Sequence, residues 1–201
     1  MSLNFPLLEN QKKNVKLPEV LASSIVARSR LFSIESLHLR FSNGAERVFE
    51  RLPQRIGRAV IVCALTEDNQ ILLVREYMAG IHKYELALPK GRVESSEDLA
   101  EAANRELMEE VGFAARKLSH LKELTVAPGQ MGYSVHAYLA TDLYEQSMPG
   151  DEPEPLEVVP WPLTELDALL QSAEISEARS LATLMLVQSH IQQRKAIADG
   201  R

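Results

Sequence analysis

The period of the sequence changes at Gly91, and that change constrains the fold more than any other feature. Upstream, apolar runs of strand length follow one another: Ala59–Leu65 and Ile71–Val74 flank the turn residues Glu67-Asp68-Asn69, and Tyr84–Leu88 is closed by Pro89. Runs without alternation predict strands buried on both faces. Downstream, Leu99, Ala102, Ala103, Leu107 and Val111 recur at helical spacing, behind Ser95 or Ser96 as cap with Asp98 as the reciprocal acid, and Gly112 stands where a helix would stop. A core strand passing through a glycine turn into a capped helix predicts an α+β domain, layered α/β/α around a mixed β-sheet.

The same stretch carries an unusual charge. Between Gly91 and Glu110 stand Glu94, Glu97, Asp98, Glu101, Glu106, Glu109 and Glu110 against only Arg92 and Arg105. Helical spacing sends Glu106, Glu109 and Glu110 to one side while Leu107 and Val111 turn inward, and like charges so close repel. A divalent cation relieves that repulsion. Carboxylates suit Mg²⁺, with Mn²⁺ as the alternative, and Mg²⁺ completes its shell with water and substrate phosphate. A solvated acidic helix face is the competing explanation.

Elsewhere the sequence reads as follows. Residues 1–20 show no periodicity and are expected to be a flexible arm. Ile25–Phe49 alternates, with turn chemistry at Ser42-Asn43-Gly44-Ala45, and predicts an antiparallel β region over 21–55 ahead of a main domain over 56–201. Leu121–Val126 and Val135–Ala140 are further strands, the five-proline stretch 148–162 is a loop or edge strand, and two helical segments follow from Leu163, broken near Ser172–Ile175. The 201 residues fit one domain with an extra lobe. A net charge of −6 disfavours general nucleic-acid binding, and no apolar run approaches membrane-spanning length. Cys63 is the lone cysteine and the N-terminus lacks a secretory pattern, so a cytoplasmic setting is expected. The five histidines lie on different elements without metal-ligand spacing, and no Gly-x-Ser-x-Gly elbow or Walker loop occurs.

Taken together, Gly91, Glu97, Arg105-Glu106-Leu107, Glu109-Glu110 and Gly112-Phe113 match the Nudix box, glycine-x5-Glu-x7-Arg-Glu-aliphatic-x-Glu-Glu-x-Gly-apolar, at every fixed position. The chain resembles the Nudix hydrolases. Leu73–Tyr77, Tyr84–Gly91 and Pro128, fifteen residues past Phe113, are similar to the ADP-ribose pyrophosphatase subfamily, and VARSRLFSIESLHLRFSNGAERVFER, AANRELMEEVGF, VAPGQ and GDEPEP resemble its NudE-type branch over about residues 23–190. The resemblance implies Mg²⁺-dependent cleavage of ADP-ribose, NADH and diadenosine di- or triphosphate, releasing AMP. Two other functions compete: a Nudix enzyme acting on NAD-capped RNA or coenzyme A, and a catalytically silent nucleotide sensor, against which the intact acidic positions argue.

The resemblance also assigns roles. Glu106 and Glu110 are implied as principal metal ligands, with Glu109 a third and the Lys90 carbonyl completing the site; Glu97 and Arg105 are implied as a supporting pair. The Lys90 side chain is a further phosphate candidate. The subfamily exchanges N-terminal strands between subunits, which implies a homodimer and makes Phe49, Glu50 and Arg51 candidates for adenine contact; a surface strand with an ordinary ion pair is the alternative. Arg75 is a candidate phosphate ligand, with a salt bridge to Glu76 or Glu85 as the rival. The resemblance implies a glutamate of the loop 150–155 as catalytic base, and of its two, Glu152 and Glu154, the distance to Val158-Val159 favours Glu154; Glu109, on the helix, is the equal alternative, and a merely solvated acidic loop competes with the loop reading.

Overall fold

The computed structural model describes residues 16–53 and 58–198, and the chain divides into two compact units after Pro53. The first unit is a three-stranded antiparallel sheet: β1 (Glu19–Arg28), β2 (Ser33–Arg40) and β3 (Glu46–Arg51), in that order. The alternation expected to run on through Arg28–Ser33 is broken there by a turn, in which the Ser29 hydroxyl accepts from the Phe32 N–H at 2.9 Å. Strand pairing starts earlier than the sequence pattern indicates, since Glu19 and Val20 already pair with Arg40 and Leu39. The rest of the expected arm, residues 1–15, and the end of the β region beyond Pro53 lie outside the described residues.

The second unit is built on a mixed sheet. Its strands are β4 (Ala59–Leu65), β5 (Gln70–Met78), β6 (Lys83–Ala87), β7 (Lys90–Arg92), β8 (Phe113–Thr125), β9 (Ser134–Glu145) and β10 (Glu157–Pro162). The main path runs β10-β5-β4-β9-β8, with β6 on β5 and β7 on β4; β4 and β9 are the parallel pair. Buried strand β4 alternates between two cores, as a strand covered on both faces must. Ala59, Ile61 and Cys63 join one core with Leu166, Leu169, Leu184 and Val187, while Val60, Val62 and Ala64 join the other with Ala102, Ala103 and Leu107. Thus helix α1 (Leu99–Glu110) covers one face, and α2 (Leu166–Gln171) with α3 (Ala178–Ala198) covers the other.

Three local expectations change. The α1 cap is Asp98, not Ser95 or Ser96: its carboxylate accepts from the Ala100 and Glu101 N–H groups, and Glu101 reaches back to the Asp98 N–H. Strand β8 begins at Phe113, eight residues before the apolar stretch that signalled it, because Gly112 at φ +75° turns the chain directly from helix to strand. The proline stretch divides into a loop and β10, an edge strand on β5 whose prolines cost no interior ladder bonds. Cys63 is fully buried, and burial pushes its thiol up to about 12, leaving it an inert core residue. No helix among the described residues is long and apolar enough to cross a membrane.

Candidate active site

The end of β7, the last two turns of α1 and the loop before β10 enclose a cleft of about 570 Å³. Its walls include Lys90, Gly91, Arg105, Glu106, Glu109 and Glu110 on one side and Gly150, Asp151 and Glu152 on the other. Each α1 position follows from the helix repeat: Ala102, Ala103 and Leu107 go into the core and carry Glu106 and Glu110 partly inward with them. Gly91 lets strand and helix acid approach closely, since a Cβ there would displace the Glu106 carboxylate.

Arg105 organises the acids. Its Nε donates to Glu97 Oε1 at 2.6 Å and its Nη2 to Glu97 Oε2 at 3.2 Å, the fork pairing that a guanidinium makes with a carboxylate. Nη2 also donates to the Arg92 carbonyl at 2.7 Å, while Nη1 is shared between Glu106 Oε1 at 2.8 Å and Glu109 Oε2 at 2.6 Å. Glu97 and Arg105 are therefore a pair, and through it the glycine loop and two helix acids are held together.

Glu110 is different. One oxygen accepts from the Lys90 N–H at 3.3 Å, while Oε2 is buried with no partner. Burial lifts its carboxyl to about 8, reinforced by Glu106 and Glu76 and opposed by Lys90. Glu106 is lifted to about 7, again by burial first, with Arg105 opposing. No three-carboxylate cage stands ready-made among the described residues, because Arg105 holds Glu106 and Glu109. The donor chemistry nonetheless fits a hard divalent cation: oxygen ligands, an orphaned buried oxygen, and two acids raised by burial in spite of the cations beside them.

Other expected residues fall elsewhere. The Lys90 ammonium is paired with Glu76, so its side chain is engaged within the protein. Arg75 forms the salt bridge its rival reading required, but with Glu157 at 2.8 Å and Glu174 at 3.1 Å rather than Glu76 or Glu85. Glu154 lines no part of the cleft; the Tyr84 hydroxyl donates to it. Pro128 sits exposed in the β8–β9 turn, away from the cleft walls. In the first unit, strand alternation sends Phe49 and Arg51 to one face of β3 and Glu50 to the other, so the three do not form one contact surface. Phe49 packs on Phe41 with ring centres 6.2 Å apart, and Arg51 pairs with Glu35 at 2.7 Å.

The sequence reading gave no cleft role to Asp151, passed over Glu152 in favour of Glu154, and named Glu76 only as a partner for Arg75. Glu152 faces the cleft without a hydrogen bond, its carboxyl pushed up by burial and by Glu76 and Asp151. Glu85, named likewise only as a partner for Arg75, is a fully buried acid that accepts from the Ser176 hydroxyl at 2.8 Å and pins the entry to α3. A charged residue inside the apolar run Tyr84–Leu88 was the available signal, since buried acids require partners.

Comparison with known proteins accounts for both units. The NudE-type Nudix hydrolase N-terminal domain matches residues 18–51 and the NUDIX domain matches residues 55–184. The chain is 45% identical over 175 residues to ADP compounds hydrolase NudE of Escherichia coli (strain K12), covering 87% of this chain and 94% of that protein. It is 27% identical over 177 residues to ADP-ribose pyrophosphatase of Bacillus subtilis (strain 168), covering 84% and 94%. A crystal structure of ADP compounds hydrolase superposes with a TM-score of 0.85 at 43% identity, over 90% of this chain and 98% of that one. The box that folds into an acid-walled cleft, and the separate sheet ahead of it, thus have one explanation: this chain belongs to the Nudix hydrolases and, among them, to the NudE type.

Proposed function

We propose that the chain hydrolyses the diphosphate bridge of ADP-linked compounds, among them ADP-ribose, NADH and diadenosine di- or triphosphate, in the presence of Mg²⁺, and releases AMP. The observation that carries this reading is Glu110, a buried acid with an orphaned oxygen at the wall of a cleft, in a chain 45% identical to an ADP compounds hydrolase. Glu106, Glu110, Glu109 and the Lys90 carbonyl are the groups that would hold Mg²⁺, which supplies charge stabilisation on the pyrophosphate and acidifies water. The remaining work belongs to the chain itself. Glu97 fixes Arg105, and Arg105 fixes the rotamers of Glu106 and Glu109. Glu152 stands free in the cleft and accepts the proton of the attacking water, a role that a raised carboxyl serves better than an ordinary one; Glu109, tied to Arg105, is the second choice.

The chain acts as a homodimer with exchanged N-terminal strands. The first unit supports this: Leu37 and Ser33 are its only buried residues among those described, whereas Val20, Val26, Val48 and Phe49 are exposed. A three-stranded sheet with so little covered surface is marginal without packing against something else. Phe49 and Arg51 from one face of β3, or Glu50 from the other, then contact the adenine. Sedimentation at the mass of a single 22.5 kDa chain would remove both proposals.

The decisive assay is AMP release, with and without Mg²⁺, from ADP-ribose, NADH, diadenosine triphosphate, coenzyme A and 8-oxo-dGTP. Metal-dependent AMP from the first three is expected. Turnover confined to the last two overturns the substrate assignment, and binding of ADP-ribose without turnover of any compound makes the chain a sensor.

A further inference from the structure

The loop between β9 and β10 is fastened at both ends, and the two fastenings lie on different elements. At its start the Gln146 N–H donates to the Gly112 carbonyl at 3.1 Å and the Met148 N–H to the Met108 carbonyl at 3.0 Å, while Gly150 lies against the Glu109 backbone, where an added Cβ would just make contact. At its end the Glu154 carboxylate accepts from the Tyr84 hydroxyl on β6. Between these points Asp151 and Glu152 line the cleft. Backbone bonds to α1 and to Gly112 behind it thus hold one side, whereas on the other Leu156 packs against the core and the stretch ahead of it is held by a side-chain contact between exposed residues.

We infer that residues 146–156 form a strap across the cleft and that Tyr84 and Glu154 are positioning residues, a latch that sets Asp151 and Glu152 against the α1 carboxylates. This rests on the proposed hydrolase reading, with Glu152 as the base, and gives Glu154, the base expected from the sequence, a different part: it acts through the loop and not on water. The Tyr77 ring, cross-strand from Tyr84 at 5.6 Å, supports the latch by limiting where the Tyr84 ring can go. Pro153 and Pro155 on either side of Glu154 restrict the backbone, so that a carboxylate held at 154 also fixes Glu152 two residues away.

The test separates a latch from a base, because a glutamine amide oxygen accepts a hydrogen bond from tyrosine but takes no proton. In the full-length protein, kcat and KM for ADP-ribose at saturating Mg²⁺ are compared for wild type, Tyr84→Phe, Glu154→Ala, Glu154→Gln and Tyr84→Phe/Glu154→Ala. A latch predicts roughly a tenfold loss of kcat in Tyr84→Phe and Glu154→Ala, the scale of one charge-assisted hydrogen bond. It also predicts little change in KM, no further loss in the double variant, and recovery in Glu154→Gln. Hydrogen exchange of amides 146–156 provides a readout independent of turnover: it rises in Tyr84→Phe and Glu154→Ala and stays near wild type in Glu154→Gln. Glu154→Gln as inactive as Glu154→Ala, with exchange unchanged, makes Glu154 the base and overturns the latch. Unchanged exchange and kcat in Tyr84→Phe overturn it as well. If wild type hydrolyses nothing, the hydrolase reading fails while the exchange data still decide the strap.

Discussion

Glu106 and Glu110 lie one helical turn apart and are both acids at a cleft wall, yet they meet different neighbours. Glu106 has the Arg105 guanidinium at 2.8 Å; Glu110 has one backbone N–H and an empty oxygen. Both carboxyls are raised, to about 7 and about 8, so the metal-free fold binds protons that the unfolded chain releases above its ordinary carboxyl range near 4.5. A group raised in the fold stabilises below its unfolded pKa and loses that contribution as pH rises through the folded one. Thermal melts in chelator should therefore show stability falling between about pH 5 and pH 8, with the slope reduced in Glu110→Gln. A flat profile in wild type would contradict the burial assigned to these acids. Glu110→Gln should also lower turnover by orders of magnitude while leaving far-UV circular dichroism unchanged. Gly91→Ala tests the approach of strand to helix: the new methyl displaces the Glu106 carboxylate, and a loss of roughly a hundredfold in kcat is expected.

At the level of elements, α1 shows what periodicity transmits and what it leaves open. Ala102, Ala103 and Leu107 at helical spacing, with Gly112 behind them, placed the helix and its buried face correctly because both depend on side-chain direction alone. The cap depended on which of several adjacent polar side chains reaches the free N–H groups, and Ser95, Ser96 and Asp98 all have suitable chemistry. Asp98→Ala should cost about 1 kcal/mol in denaturant melts while Ser95→Ala and Ser96→Ala cost little; the reverse order would restore the serine cap. The same distinction holds at the site. Glu97 and Arg105 were legible because spacing within one segment fixes them, whereas the partner of Lys90 lies on another strand and those of Arg75 and Glu154 come from far along the chain. Glu152 was passed over for Glu154 because chain distance to the next strand ranks two loop acids without revealing which one Tyr84 captures.

For the molecule as a whole, the two units obey different rules. The second carries its own cores on both faces of its sheet, while the first, with every β3 residue exposed, has little interior of its own. Dilution should therefore affect the first unit before the second if the chain dimerises through it: hydrogen exchange in residues 19–51 should accelerate as the protein is diluted below its dissociation constant, while that of β4 and β9 stays constant. Concentration-independent exchange throughout would argue that the sheet is covered by other means. Arg105, finally, gives the cleft a tethered cation of its own. On the proposed Mg²⁺ dependence, chelation should therefore remove function and leave architecture, in contrast to small domains whose metal is their core, and a preparation stripped in chelator should regain full activity on resupply of Mg²⁺ without any refolding step.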